Sequence, residues 1–161
     1  MKKLILMLAL CAPMAVFAQK FGRVNTQTLM QALPDVSKAN GELEAQQKTY
    51  ANDLKAMQDE YQRKVEDYSK NQATMNATTK EQKAQELQTL EQKLQQTYQD
   101  NQAALQKKSQ ELMQPIITKI RDAIAAVGKA GGYTYIFEEG AAVYTGDNVK
   151  DVTAEVQAKL K

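Results

Sequence analysis

A long middle stretch of the chain, from about residue 35 to residue 127, is amphipathic in the manner of an α-helix and is broken once, near residues 76–79. Its apolar side chains recur three, four or seven positions apart, the spacing of a narrow seam rather than of a broad core-facing side. They are Leu43, Tyr50, Leu54, Met57, Tyr61, Val65, Tyr68 and Met75, then Leu87, Leu90, Leu94, Tyr98, Leu105 and Leu112. A stretch this long and thin cannot bury a globular core, so the sequence predicts two long helices that pair with each other.

The break predicts a reversal of the chain. Thr78-x-x-Glu81 matches a capping box, in which a threonine oxygen accepts from a first-turn N–H and a glutamate reaches back to the cap. Thr79-x-x-Gln82 is an alternative one residue further on. We therefore expect a helical hairpin arm over residues 35–114, with its tip near residues 74–80.

The residues before the arm predict the first part of a small body, residues 19–34. Phe21–Asn25 is a short β-compatible run, and Thr26 is a candidate cap for a brief helix that Pro34 ends or redirects. Asp35 and Ser37 are candidate caps for the first long helix.

Residues 115–161 predict the second part of the body. Pro115 favours a kink or a short break, after which helical spacing resumes through Val127 and closes at Gly131-Gly132. Two strands are expected at residues 133–138 and 141–145, because both runs are rich in β-branched and aromatic residues. The tail from residue 149 to residue 160 has helical spacing, with Asp151 or Asn148 as its cap.

The fold class that follows is mainly helical α+β, with a long antiparallel coiled-coil hairpin arm on a small β body. The strand near residue 24 has to reach the sheet formed by residues 133–145, so the arm must bring the chain back. Three short strands leave open edges, which oligomerisation would cover. The candidate oligomerisation residues are Val24, Ile136, Phe137 and Val143.

The first eighteen residues have the three parts of a secretory signal peptide. Lys2 and Lys3 form the charged start, Leu4–Leu10 the apolar run, and Val16–Ala18 a small-residue cleavage site. Cleavage after Ala18 would export the chain to the periplasm. Cys11 leaves a lipoprotein as the alternative, although the bulky Leu10 before it is unusual for lipid modification.

Composition argues against catalysis and against nucleic-acid binding. Of the 21 basic residues, Lys2 and Lys3 lie in the predicted leader, so 19 bases face 19 acids after cleavage. Nucleic-acid binding usually needs a basic surplus. The chain has no histidine, and its one cysteine lies in the leader, so the commonest general bases, thiol nucleophiles and metal ligands are missing. We expect no enzymatic activity, no metal and no cofactor.

Soft or amphipathic side chains in the arm are candidates for contacting varied partners. They are Met57, Tyr61, Tyr68, Met75 and Tyr98. The alternative is that each simply holds the two helices together. The abundant arm glutamines, Gln95 and Gln99 among them, are interpreted as a solvated helical face.

In four segments the chain resembles the OmpH-like family of periplasmic chaperones, also named after Skp. The segments are Phe21–Asn25 with its Val24-Asn25 pair, the strand Tyr133–Phe137, the strand Ala141–Tyr144, and the closing segment Asp147–Glu155. The two long helices of the arm match the family only in being long and amphipathic. The resemblance covers essentially the whole exported chain in order and length.

The resemblance implies a homotrimer in which short strands of three subunits form a shared barrel and three helical hairpins surround a cavity. It also implies that the protein holds unfolded outer-membrane β-barrel proteins without ATP. The even charge balance differs from the basic members, so a membrane surface or lipopolysaccharide stays open as a further partner and no lipopolysaccharide-binding residues are carried over. The competing hypothesis is a non-catalytic structural or adaptor coiled coil that binds one folded envelope partner.

Overall fold

The structure, a computed structural model, describes residues 19–161. The predicted leader, with Cys11, lies outside the described residues. The described chain divides into two compact units. One, called here the body, contains residues up to 32 and residues 119–161; the other, called here the hairpin, contains residues 33–118.

Two long helices and a small sheet confirm the predicted mainly helical fold class. In chain order the elements are β1 (Phe21–Val24), α1 (Thr26–Ala32), α2 (Pro34–Asn71), α3 (Ala77–Gly131), β2 (Tyr135–Glu138), β3 (Lys150–Asp151) and α4 (Thr153–Leu160). At about 1.5 Å per residue, the 38 residues of α2 span about 57 Å.

The body is built around β1, the central strand of a three-stranded sheet in the order β2-β1-β3. Both neighbours pair with it in parallel, Phe21 opposite Tyr135 on one side and Gly22 opposite Lys150 on the other. Val24 at the end of β1 is buried. Beneath the sheet, Leu29 of α1 and Val156 of α4 are fully buried. The core therefore joins residues from both ends of the chain.

One strand prediction is wrong. Residues 141–145 form no strand, and the third strand is instead β3, where the start of the helical tail was expected. Within one chain both edges of β1 are occupied, by β2 and by β3. Residues 141–145 therefore have no edge of β1 left to pair with, and a turn closed by the Ala141 N–H on the Glu138 carbonyl leads them away.

A hydrogen-bonded network around Asn25 joins β1 to three other elements. The Asn25 side-chain oxygen accepts from the Thr28 N–H at 2.7 Å, which makes Asn25, rather than Thr26, the cap of α1. Its amide nitrogen donates to Glu139 at 2.6 Å. Its backbone N–H donates to the Thr153 hydroxyl at 3.0 Å, and that hydroxyl donates to Asp151 at 2.6 Å.

Three other helix starts also differ from the predictions. α2 begins at Pro34 without a side-chain cap, because proline already has helical φ and has no N–H to satisfy, so neither Asp35 nor Ser37 is its cap. α3 begins at Ala77, where the Asn76 side-chain oxygen accepts from the Thr79 N–H at 2.8 Å. The predicted caps Thr78 and Thr79 are therefore wrong by two and three residues. α4 begins at Thr153, whose N–H donates to Asp151 at 2.9 Å, although Val152 occupies the N-cap position.

α3 continues through Pro115, so the expected short break is wrong, whereas the kink that was its alternative stays a prediction. Proline removes one backbone hydrogen bond and crowds the preceding turn. Ile116, Ile120, Ala123 and Val127 follow at helical spacing and are all buried. We attribute the continuity of α3 to the burial of this apolar row, which outweighs the local cost of the proline. α3 ends at Gly131, with Gly132 in the left-handed region at φ 64°, as the glycine pair predicts.

The hairpin has its two helices side by side and antiparallel. Lys64 of α2 forms an ion pair with Glu86 of α3, and Glu42, further from the turn, pairs with Lys108 at 3.3 Å. The two pairs fix the register over about 33 Å of helix. The turn between the helices comprises residues 72–76.

The middle of the α2 seam differs from the predicted one. Half-buried residues follow alternating steps of three and four through Leu54, Met57, Tyr61, Lys64 and Tyr68. Lys64 thus occupies the position given to Val65, which is exposed. The lysine is accommodated there because its aliphatic stem can pack while its ammonium reaches Glu86.

No helix in the part of the chain that the structure describes is both long enough and apolar enough to cross a membrane.

The Asn25 network gives a stability prediction. Thr153→Val keeps the shape of the side chain but removes the acceptor for the part-buried Asn25 N–H. We expect the free energy of unfolding to fall by about 1–2 kcal/mol, the usual cost of leaving such a donor without a partner. Urea unfolding followed by circular dichroism measures it. Thr153→Ser, which keeps the hydroxyl, should lose less than half as much, and equal losses would show that the hydroxyl does not hold the body together.

Candidate functional site

One side of the hairpin has an open cleft between its helices. The cleft lies between Leu54–Tyr61 of α2 and Glu91–Gln99 of α3 and has a volume of about 530 Å³. We call it the arm cleft. Its apolar lining comes from Leu54, Tyr61, Leu94 and Tyr98. Because a narrow seam leaves much of each side chain uncovered, such a cleft forms where two neighbouring seam residues do not fill the space between the helices.

The arm cleft brings together two of the five predicted binding residues. Tyr61 is half-buried, whereas Tyr98 is 55% exposed. Met57 and Tyr68 are half-buried residues of α2 that do not line the cleft, and Met75 lies half-buried in the turn. The structure therefore gathers the tyrosines of the middle of the hairpin and leaves the other three apart from them. The roles of all five residues in binding remain predictions.

Polar residues of the arm cleft were missed as site residues. Gln58, Gln95 and Gln99 line it, together with Glu91. The glutamines had been assigned to a solvated face, which is correct for their exposure but overlooks their position at the edge of an apolar opening. The signal was present in the sequence, since Gln95 and Gln99 directly follow Leu94 and Tyr98.

Nearer the turn, the Lys64–Glu86 pair perturbs both groups. The hydrogen bond from Lys64 lowers the pKa of the Glu86 carboxyl, and the same bond raises the pKa of Lys64. Lys83 also approaches Glu86, at 3.7 Å. The Coulombic attraction acts in the same direction as the hydrogen bond. The pair therefore favours the closed hairpin over the whole pH range in which both groups are charged.

The body has an aromatic cluster on the exposed side of its sheet. Phe21 stacks with Tyr135 and with Phe137, with ring centroids 6.2 Å apart in both cases, and Tyr135 and Phe137 are 5.8 Å apart. Tyr135 is 57% exposed and Phe137 44% exposed. Exposed aromatic surface of this kind on a single chain is typical of an interaction face.

The predicted oligomerisation residues have different positions in the body. Val24 belongs to the buried core of its own chain, and Ile136 is half-buried. Phe137 belongs to the aromatic cluster, and Val143 lies fully exposed in the irregular segment after β2. On geometry alone, Phe137 and Val143 are the two that another molecule can reach without unfolding the body.

A smaller cavity of about 280 Å³ lies between this segment and the sheet. It is lined in part by Phe21, Phe137 and Tyr144. Arg23, also in its wall, lies 3.8 Å from Glu139 and 3.8 Å from Asp151, so its charge is balanced within the body. Among the described residues no group of three or more acidic, histidine or cysteine side chains is arranged to hold a metal ion.

These features define a class: a helical-hairpin protein with a small parallel sheet and exposed apolar surfaces. Comparison with known proteins identifies the class more closely. The model of the family described as outer membrane protein (OmpH-like) matches residues 20–160. The chain belongs to the OmpH-like family.

Named relatives match over nearly the full chain. The chain is 30% identical over 158 residues to the chaperone protein Skp of Yersinia enterocolitica, covering 96% of this chain and 93% of that protein. It is 28% identical to the chaperone protein Skp of Escherichia coli strain K12, covering 100% of both chains. The crystal structure of an OmpH-like chain from Caulobacter crescentus CB15 has a TM-score of 0.76, at 15% identity, over 88% of this chain and 83% of that one. At that identity the likeness concerns the fold.

The Lys64–Glu86 pair predicts a pH-dependent effect of Glu86→Gln. Because the folded-state pKa of Glu86 is lowered, its stabilising contribution is present at neutral pH and is lost as the pH falls below the ordinary glutamate value of about 4.3. The variant should therefore have a lower Tm than the parent at pH 7, and the difference should shrink as the pH falls below that ordinary value and through the lowered folded-state pKa.

Scanning calorimetry between pH 3 and pH 8 measures this difference. Glu81→Gln is the matched control, since Glu81 is exposed near the turn and forms no ion pair with another described residue. A Tm difference for Glu86→Gln that persists unchanged at pH 3 would contradict the assignment.

Proposed function

We propose that the protein is an ATP-independent holdase chaperone of the periplasm, which binds unfolded outer-membrane β-barrel proteins and prevents their aggregation. The observation that carries the proposal is the long, exposed hairpin with its apolar arm cleft, in a chain that belongs to the OmpH-like family. Relatives that match nearly the whole chain are named chaperone protein Skp.

The chemistry of the hairpin suits weak binding of many sequences. Its surface combines partly covered tyrosine, methionine and leucine side chains with glutamine amides, which accept and donate hydrogen bonds without a fixed charge. A surface of this kind discriminates little between partners, as promiscuous binding requires. Capture and release through many weak contacts need neither nucleotide nor cofactor, and we assign the protein no enzymatic activity.

We further propose that three copies assemble through their bodies into a shared barrel. The aromatic cluster and the exposed segment at residues 141–145 support this, because the outer edge of β2 has unpaired backbone groups and the segment has β-forming residues without a partner strand. Pairing this segment with the β2 edge of a second copy would make it a strand in the assembly. Burial of Phe137 and Val143 in that interface would remove apolar surface from water.

Location in the periplasm rests on the predicted leader and on the family. The matched numbers of basic and acidic residues after cleavage leave no surplus charge for capturing an anionic lipid surface. Binding of lipopolysaccharide is therefore not part of the proposed function. Neither is binding of nucleic acid.

Protection of an unfolded client tests the function. The purified protein should suppress light scattering when a urea-unfolded outer-membrane barrel protein is diluted into buffer, at about one trimer per client and without nucleotide. Suppression should persist with added salt, because the contacts are mainly apolar and amide-mediated. An unrelated folded protein of similar size serves as the control. Absence of protection at every salt concentration would refute the function, and tight binding of one folded envelope partner would favour the adaptor hypothesis.

Phe137→Asp tests the assembly. Phe137 is 44% exposed in the single chain, so the body should still fold, whereas a carboxylate in the proposed interface has to be desolvated. We expect a mass of one subunit by light scattering, with an unchanged helical circular dichroism signal. Val65→Asp introduces the same charge at an exposed position of the hairpin and should leave the mass at three subunits. Equal masses for the two variants would refute the proposed interface.

A further inference from the structure

The arm cleft has features that favour one kind of ligand over other apolar ligands. We propose that it binds an extended segment of an unfolded chain in which apolar side chains alternate with neutral or basic ones. This inference deepens the proposed function and rests on it, because the segment would belong to a client. It concerns the hairpin alone and does not depend on how the bodies assemble.

The size of the arm cleft fits side chains rather than a folded partner. About 530 Å³ of open volume accommodates two large apolar side chains with adjoining backbone, whereas a folded domain would need a wider surface. Leu54 and Leu94 form its apolar lining with Tyr61 and Tyr98, the tyrosines supplying both ring surface and hydroxyl groups.

The spacing of the lining residues matches an extended chain. Leu94 and Tyr98 are four residues apart on α3, which separates them by about 6 Å along the helix axis. In an extended strand, side chains on the same face are two residues apart, or about 6.6–6.8 Å. A strand lying along the hairpin would thus place every second side chain against one residue of this row.

The glutamines repeat that spacing. Gln95 and Gln99 are also four residues apart, and both line the arm cleft. Backbone N–H and C=O groups on one edge of a strand recur every two residues and have no partner when the chain is unfolded. Each glutamine amide offers one acceptor and two donors. A helical ligand would have no such backbone groups to offer, so the two amides favour an extended ligand over an amphipathic helix.

The charge of the cleft lining favours some bound peptide segments over others. Glu91 is the single charged residue in the lining, and it forms no ion pair with another described residue. An acidic residue in the bound segment would face this carboxylate without a compensating cation, whereas a lysine or arginine would be attracted. Strands of membrane β-barrels alternate apolar and polar residues, so their unfolded chains supply segments of the required pattern.

The test uses ten-residue fluorescent peptides and the purified full-length protein. One peptide alternates leucine or phenylalanine with serine and one lysine; the second has the same composition with its apolar residues in one block; the third replaces the lysine by glutamate. By fluorescence anisotropy the alternating peptide should bind about tenfold more tightly than the blocked one, as expected when two anchoring side chains are lost from a lined cleft. The glutamate peptide should bind more weakly than the lysine peptide.

Matched variants locate the binding. Tyr98→Ala should weaken binding of the alternating peptide about tenfold, the effect of losing an aromatic anchor, while Tyr50→Ala, outside the arm cleft, should change it less than twofold. Gln99→Ala should weaken it more than Gln102→Ala, which changes an exposed amide elsewhere on α3. Glu91→Gln should abolish the preference for lysine over glutamate, and Glu44→Gln should preserve it. Circular dichroism checks that each variant folds.

Different failures point to different errors. Equal effects of Tyr98→Ala and Tyr50→Ala, or equal affinity for alternating and blocked peptides, would overturn the arm cleft as the binding site even if aggregation is still suppressed. A concentration-dependent rise in mass that Tyr98→Ala removes, without peptide binding, would overturn it in favour of a second copy. Peptide binding with the expected pattern, but no protection of an unfolded barrel protein, would support the cleft and refute the holdase function.

Discussion

The parallel pairing of β1 with strands from the other end of the chain is the constraint on which the rest depends. Both neighbours of β1, β2 and β3, come more than one hundred residues later, and no local hairpin can supply them. The residues between β1 and β2 must therefore extend away from the sheet and fold back to it. Two long helices joined by a five-residue turn satisfy that requirement with few other contacts, and so the same pairing that builds the body also determines that there is a hairpin.

The body holds this pairing through polar contacts as much as through its small core. Asn25 ends β1, caps α1 and donates to Thr153, so one residue joins the sheet to both short helices. Leu29 and Val156 bury the apolar part of the same junction. The family resemblance includes both the Val24-Asn25 pair and the segment containing Asp151 and Thr153, and the network supplies a physical reason for these residue types at these places.

Elements that follow from a repeating apolar pattern were predicted from the sequence, whereas elements that depend on contacts with residues distant in the chain were missed. The spacing of Leu54, Met57 and Tyr61 suffices to predict a long helix, because it matches the helical period without reference to any other part of the chain. β3 could not be predicted, since its two residues become a strand only by pairing with Gly22 and Arg23. Lys64 replaced Val65 in the seam because Glu86 lies opposite, a register unknown in advance. The arm cleft was predicted in part. Its two tyrosines were identified as candidate binding residues, whereas the position of its glutamines at the cleft became clear only with the second helix beside them.

The position of β3 and α4 has a consequence for biogenesis. These elements occupy residues 150–160 and supply Val152, Val156 and Leu160, all buried, to the core of the body. A chain that ends before residue 150 can form its long helices but lacks one edge of the sheet and part of that core. Completion of the body thus waits for residues 150–160, and a truncated copy keeps its long helices without a finished body.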